Sequence, residues 1–428
     1  MRCQPLPSKF HSTNRRKLAS AIGPSAVAII DTADVLRRPG DFEHPFRPDS
    51  NFYYLTGVDE PKAVLVLAPG HPNERLREIL FLQKTNTHMA LWAGQSFTQT
   101  QGTDRSGIQT VLWLSELDQM LGQILGDFQI IYFNAATAVE PGPLDPAMRR
   151  VAQLRTQLPL HTFKSATSIL GQFRAIKASE EIAQIRRAIK ITGQGLLKSW
   201  AIINPGQPEY VLEAELTAEF MRQGATGLAF SAIIAAGKNA TVIHHSTSNA
   251  NLSANDLVLY DVGAEAGYYA ADISRSVPVN GKFTGRQRAV YEAVYRTQQA
   301  GIALHKPGAT ILSIDKAMRQ LLVRELVGLG ELTEAQAASS EADQHLRKYY
   351  AHISHHLGLD VHDTESPRTP FVCGMVVTCE PGLYLEEEGI GVRLEDDILI
   401  TETGYEVLSK AIPSAPADVE AAIRQISE

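Results

Sequence analysis

The stretch YDVGAEAGYYAADISR (260–275) decides how this chain is read, because it sets two aspartates, Asp261 and Asp272, on either side of a glycine-containing turn. Asp261 closes the apolar run Leu257, Val258, Leu259, Tyr260, which reads as a buried strand. Gly263 and Gly267 suit a hairpin that returns both carboxylates to one neighbourhood and one face. A lone acidic residue is ordinarily a solvated surface charge. A carboxylate at the end of a buried strand is different, since it needs a partner or a metal.

The same device recurs further on. Glu380 ends the run Met375, Val376, Val377, Thr378, Cys379 within VVTCEPGLY (376–384), where Pro381-Gly382 turns the chain. Gly389 and Gly391 precede the strand of GVRLEDDILI (391–400) that carries Glu395. His355 lies between the two devices, in AHISHHLGLDVHD (351–363). Four carboxylates and one imidazole form a hard, oxygen-rich set suited to Mn²⁺, or to Zn²⁺ in a mixed site, whereas a soft structural site would be dominated by thiolates. Four negative charges also match two divalent cations. Without metal the cluster would repel itself and raise its own pKa values.

At 428 residues the chain exceeds one ordinary domain, so two are expected. Its composition, 44% hydrophobic and 20% charged, is that of a globular protein. The net charge of -7 argues against a nucleic-acid partner, and the basic clusters Arg15-Arg16-Lys17 and Arg37-Arg38 are too short to contradict this. Three cysteines, Cys3, Cys373 and Cys379, are too few for a disulfide framework and point to a reducing compartment. The first apolar stretch, Ala26 to Ile30, is short and follows Gly23-Pro24, which is not the pattern of an export signal. No run is long enough to span a membrane, so a cytoplasmic protein without a membrane partner is expected.

Residues 1 to about 165 mix short apolar strands, PKAVLVLAPG (61–70), REILFLQ (77–83) and FQIIYFN (128–134), with helical stretches, as in a compact α/β domain. A boundary is expected between Ser165 and Gln172. It precedes a long helix with Ser179 as cap, Glu180 and Glu181 in the first turn, and Ile182, Ile185 and Ile189 as its apolar stripe. From there the order helix, helix, strands occurs twice. The first set holds a helix from Pro208 to about Gln223 and the strands of Asp261 and Asp272. The second holds a helix opened by Thr284 with Gln287 in capping-box spacing, a helix from Ser313 to about Val327, and the strands of Glu380 and Glu395. Two such halves would surround a shared centre with one pair of acids from each, although no sequence-level repeat is detectable.

With these residues in view, the chain resembles, over nearly its whole length, the Xaa-Pro aminopeptidases (aminopeptidase P) of the pita-bread metallopeptidase family. HPFRPDSNFYYLTGVDEPKAVLVL (44–67) resembles the family's N-terminal domain, while SHHLGLDVHD, EPGLY and VRLEDDI resemble its catalytic motifs. The resemblance implies an α/β (α+β) chain, with an aminopeptidase P-type N-terminal domain over 1–170 and a pita-bread catalytic domain over 171–428. It implies that Asp261 binds one metal, that Asp272 and Glu395 bridge two, and that His355 and Glu380 complete the second site. The usual metal of the family is Mn²⁺, with Zn²⁺ or Co²⁺ as alternatives. A water or hydroxide between the ions would be the nucleophile, and Glu380 would accept its proton.

Further positions follow from the same resemblance. His244, in VIHHS, matches a residue that touches substrate. His362, in LDVHD, matches one that stabilises the tetrahedral intermediate or shuttles protons. His352 stands where the family often has a supporting histidine, Arg393 matches an arginine that orients a carboxylate or substrate, and Trp92, in ALWAG, matches an aromatic that helps close the pocket, sometimes across a subunit boundary. A lone histidine is more often a structural residue, Arg393 reads equally as a buried ion-pair partner, and Trp92 equally as core. Register selects His355 over His356 and His244 over His245, on the premise that neighbours on a strand face opposite ways. Two departures concern the pocket rather than the metals: the loop Thr364 to Val372 is short, and Cys373 replaces the usual proline before Gly374-Met375. Arg368 in that loop is a weak candidate for substrate contact.

The expected activity is removal of an N-terminal residue that precedes proline, whose missing N–H and fixed φ defeat ordinary peptidases. A dipeptidase of the prolidase type is the alternative within the same chemistry. A binding protein that has lost catalysis would typically lack several ligands, and all five are present here. Relatives are commonly dimers or tetramers, so a homo-oligomer is expected.

Overall fold

The computed structural model describes residues 5–135, 145–350, 354–364 and 366–427. The chain forms two compact units, Pro5–Phe173 and Arg174–Glu428.

The first unit is built on one six-stranded sheet. Its strands are β1 (Ala26–Asp31), β2 (Val64–Leu67), β3 (Glu78–Leu82), β4 (Thr110–Trp113), β5 (Ile130–Phe133) and β6 (Thr162–Ser165), in the order β4-β3-β2-β1-β5-β6. β1 runs parallel to β5 and antiparallel to β2. The apolar runs read from sequence are central strands of this sheet: β2 and nearly all of β3 are buried on both faces, which is why they lack polar alternation, whereas β5 alternates half-buried and buried residues. Val27, Ile29, Val66, Phe81, Ile131 and Phe133 pack into one core, each side chain contributing about 1.5–3 kcal/mol on burial.

The second unit opens with the helix Ser179–Trp200, whose N-cap is Ala178 rather than Ser179. The cap bond is made from the helix side: Ala178 N–H donates to Glu181 Oε2 at 2.8 Å, while Ser179 Oγ turns to Glu180. The helix Glu209–Arg222 follows, with Leu212, Leu216 and Phe220 buried. Its strands are β7 (Gly227–Leu228), β8 (Ile233–Ala236), β9 (Leu257–Val262), β10 (Ala264–Ala266), β11 (Tyr269–Ala270) and β12 (Ile273–Pro278). Two further helices, Gly285–Ile302 and Ile311–Gly328, lead to β13 (Val376–Cys379), β14 (Gly382–Leu385), β15 (Ile390–Arg393), β16 (Asp396–Ile400) and β17 (Tyr405–Val407). Thr284 and Gln287 form the expected capping box.

Each helix pair is thus followed by a three-stranded sheet, β12-β9-β8 in the first half and β13-β16-β17 in the second. Between Asp261 and Asp272 the chain makes a small ribbon, β10 paired with β11, turned by Gly267 (φ 58°) and Tyr268 (φ 68°). Two consecutive positive φ values mark a turn whose twist suits a tight hairpin.

Candidate metal centre

Register brings the acids together. β9 and β12 pair antiparallel with Asp261 opposite Ser274, and Asp272 lies two residues before Ser274, so all three side chains share a face. Glu395 sits between β15 and β16, where its N–H donates to the carbonyl of Ser274 at 3.1 Å, tying the second half to the first. Buried Arg275 reinforces the tie by donating to the carbonyls of Ser274 and Glu395 and to Asp396. Glu380 follows the last residue of β13, and its Oε1 accepts from Thr378 Oγ1 at 3.2 Å.

His355 completes the group. Its Nε2 lies 3.3 Å from Asp272 Oδ2 and 3.4 Å from Glu380 Oε1. Its Nδ1 lies 3.0 Å from the carbonyl of His356. A carbonyl can only accept, so Nδ1 carries the proton and Nε2 presents its lone pair to the acids, the orientation that a metal-ligating imidazole needs. Asp272, His355 and Glu395 offer ligand atoms that all lie within 4.8 Å of one another.

The electrostatics of the group are unfavourable as it stands. Burial, then the charges of Asp261 and Glu380, push the Asp272 carboxyl well above the usual range; burial, then Asp272 and Glu380, do the same to Glu395. Among the described residues, Asp261 Oδ1, Asp272 Oδ1 and Glu395 Oε1 are buried and accept no hydrogen bond. Buried acceptors without donors are costly, and three of them converging beside an imidazole lone pair fit hard divalent cations.

The rest of the group is tied down by Arg393 and by three residues that the sequence reading did not single out, Ser274, Tyr384 and Asp397. Arg393 is buried, with Nη2 2.5 Å from Asp261 Oδ2, Nε donating to Ser274 Oγ and Nη1 to the Tyr384 hydroxyl. Ser274 passes the contact on by donating to Glu395 Oε2 at 2.8 Å. Arg393 is therefore an ion-pair partner that also lines the site. Ser274 was findable as the i+2 neighbour of Asp272; Tyr384 and Asp397, whose Oδ2 accepts from Asp272 N–H, carried no signal of their own.

The five residues lie in a cleft of about 660 Å³, whose walls include Phe230, Ile243, His244, His245, Val361 and His362. The His362 ring stands 4.3 Å from that of His355. His244 is exposed at the cleft wall. The VIHHS segment is a turn after a short 3-10 helix rather than a strand, so the face-alternation premise does not hold there, and His245 lines the cleft too. Its Nε2 points towards the fully buried Glu209, 3.6 Å away. Trp92 belongs to the first unit, on a helix over Thr87–Ala93, where it is 78% exposed and donates to His88. Arg368 is exposed, and His352 lies outside the described residues.

Comparison with known proteins bears directly on this centre. The metallopeptidase family M24 model matches residues 183–402, which contain all five residues, and the model of the aminopeptidase P N-terminal domain matches 11–132. The Xaa-Pro aminopeptidase of Escherichia coli (strain K12) is 33% identical over 425 residues, covering 95% of this chain and 96% of that one. Xaa-Pro aminopeptidase 3 of Homo sapiens is 29% identical, covering 97% and 86%. Among solved structures, aminopeptidase P from Escherichia coli with the inhibitor Pro-Leu matches with a TM-score of 0.89 at 32% identity over 99% of both chains. The zinc-substituted form of that enzyme in complex with product gives a TM-score of 0.89 at 31% identity, over 99% of this chain and 100% of that one. Acid cluster, family match and full-length similarity agree: the chain belongs to metallopeptidase family M24, with an aminopeptidase P-type N-terminal domain ahead of the metallopeptidase domain, and it works with divalent metal.

Proposed function

We propose that the protein is an Xaa-Pro aminopeptidase that releases the N-terminal residue of peptides with proline in second position, with residues 1–170 as its N-terminal domain and 171–428 as the catalytic one. The observation that carries this reading is the set of buried, unpartnered carboxylate oxygens around the lone pair of His355 at the cleft wall. Asp261, Asp272, His355, Glu380 and Glu395 would hold two divalent ions, with Asp261 serving one, His355 and Glu380 the other, and Asp272 and Glu395 both. When bound, two divalent ions supply Lewis acidity towards the scissile carbonyl and a water acidified near neutral pH.

The chain's own residues do the rest. Glu380, beside His355, accepts the proton of the attacking water. His362 donates to the carbonyl oxygen as charge develops, and His244 contacts the peptide across the cleft. Arg393 fixes the half-buried Asp261, and the buried oxygens of Asp261, Asp272 and Glu395 are presented without reorganisation. Trp92 and His352 complete the substrate site, Trp92 from the partner subunit of a homodimer or homotetramer. Mn²⁺ is the working metal, Zn²⁺ and Co²⁺ being substitutes. Three cysteines and the absence, among the described residues, of any helix long and apolar enough to cross a membrane support a cytoplasmic location.

The test uses metal-stripped protein with and without Mn²⁺ on a tripeptide Xaa-Pro-Pro beside the dipeptide Xaa-Pro, with products separated by chromatography. Manganese-dependent release of the first residue from the tripeptide is expected. Cleavage of the dipeptide alone would replace this reading with the prolidase one, and no cleavage of either by metal-loaded protein would overturn both.

A further inference from the structure

His362 owes its place to a loop that starts and ends beside the metal centre. From His355 the chain leaves, turns at Gly358 and returns, so that the rings of His355 and His362 stand 4.3 Å apart. The neck of the loop is closed by one carbonyl, that of His356, which accepts from Asp363 N–H at 2.8 Å and faces His355 Nδ1 at 3.0 Å. The residue after His362 therefore shares an acceptor with the ligand imidazole itself.

The side chain of Asp363 points away from the metals into a separate buried ion cluster. Its Oδ1 accepts from Arg174 Nη2 at 2.6 Å and its Oδ2 from Lys177 Nζ at 3.1 Å, and all three side chains are almost fully buried. Arg174 also reaches Asp360, in the same loop, at 2.5 Å. Burial would raise the Asp363 carboxyl, but the two cations outweigh it and hold the group below the usual carboxylate range. The loop is shaped around this carboxylate: a Cβ on Gly358 would fall 2.1 Å from Asp363 Oδ2. Two cations from FRAIK (173–177) thus grip two acids of LGLDVHD (357–363), and neither segment supplies a residue to the acid cluster.

We propose that Asp363, clamped by Arg174 and Lys177, is the positioning residue for His362, and that the clamp sets how His362 meets the reacting carbonyl; this rests on the reading of His362 given above. A buried, charge-assisted clamp tolerates little displacement, and misplacing a catalytic group by about 1 Å can cost about 10²-fold in rate. Metal binding is expected to be spared, since Arg174, Lys177 and Asp363 are not among the five residues proposed as ligands.

The experiment is a double-mutant cycle on the manganese-loaded enzyme with the tripeptide substrate, pairing Asp363→Asn with His362→Ala. Asp363→Asn is expected to lower kcat roughly 10- to 100-fold, with KM within about twofold and the bound metal per protomer unchanged. In the His362→Ala background it should cost less than about twofold more, because there is no imidazole left to place. Full multiplication of the two losses, or loss of metal in Asp363→Asn, would overturn the proposal, since a general weakening of the fold would act whether or not His362 is present. Should Asp363→Asn fail to fold, Lys177→Met removes one of the two cations and is judged by the same cycle, with a smaller loss of kcat. If His362→Ala alone turned over normally, the parent role of His362 would fall and this inference with it; if His362→Ala is impaired and the losses multiply, only the inference falls.

Discussion

Two buried charge clusters lie in the catalytic unit, and they are balanced in opposite ways. Around Asp363 two acids meet two cations, every contact is a charge-assisted hydrogen bond, and the carboxyl of Asp363 is held below its usual range. Around Asp272 five acids, Asp261, Asp272, Glu380, Glu395 and Asp397, meet Arg393 as their close cationic partner, and the carboxyls of Asp272, Glu395 and Asp397 are pushed well above theirs, burial being the first cause in each case. The protein supplies the counter-charge in the first cluster and withholds it in the second. A buried cluster that folds with its acceptors unmatched is a cluster built for a cation from outside.

The contrast is broken most directly by Asp272→Ala. If Asp272 bridges two ions, its loss should empty at least one site and lower turnover on the order of 10³-fold, about 4 kcal/mol of barrier. Metal analysis and steady-state kinetics on the same sample check this, and full metal with normal turnover would remove Asp272 from the centre.

Chelation should separate the clusters by pH. In metal-free protein Asp272 and Glu395 have folded-state pKa values above their unfolded ones, so their contribution favours the fold at low pH and is lost as pH rises through those values. Metal competes with those protons, so the stabilisation it confers should grow from pH 5 to pH 8, reaching about 2.7 kcal/mol at a free metal level of ~100 Kd. Thermal melts of loaded and stripped protein across that range give the difference directly. A gain that is flat in pH would mean that the metal does not contact these carboxylates.

A smaller effect is expected from Arg393→Met, which leaves the five acidic and imidazole groups in place but frees Asp261 Oδ2, Ser274 and Tyr384 from their donor. Outer residues of this kind are worth ~10–100-fold in metal affinity or activity. Metal titration that gave the wild-type affinity, together with unchanged kcat, would show Arg393 to be a packing residue alone.

What the sequence made legible follows from how locally each feature is encoded. The strands of the first sheet announce themselves as apolar runs, and the acids of the centre as charges placed where such runs end. Ser274 was within reach by strand periodicity alone. The Ser179 cap was misread because the carboxylate of Glu181 reaches back from inside the helix, a geometry that leaves Ala178 looking inert. VIHHS was misread because an irregular turn and a strand look alike over five residues. The Asp363 clamp was invisible for a different reason: its cations lie more than 180 positions away in sequence, and nothing in FRAIK points to them. Long-range charge pairs leave no periodicity.

The smallest expected effect sits at the edge of the balanced cluster. Glu181 is almost fully buried, accepts from Ala178 N–H and the Tyr269 hydroxyl, and feels Lys177 as well, yet burial, the largest influence, pushes its carboxyl up to about 7. Its folded-state pKa therefore lies above its unfolded value of about 4.5, the folded state binds the extra proton between the two, and the stability contributed by Glu181 falls as pH rises from about 4.5 through 7. At about 1.4 kcal/mol per pH unit the ceiling is about 3.5 kcal/mol, and local relaxation should leave about 1 kcal/mol. Glu181→Gln keeps an acceptor for Ala178 and carries no charge, so it should match the wild type near pH 5 and exceed it by about 1 kcal/mol near pH 8 in chemical denaturation with metal present. An equal offset at both pH values would mean that Glu181 stays ionised throughout and that the counter-charge of Lys177 reaches beyond Asp363. That outcome would widen the balanced cluster to three acids and two cations and sharpen its contrast with the metal centre, where added acids go unmatched.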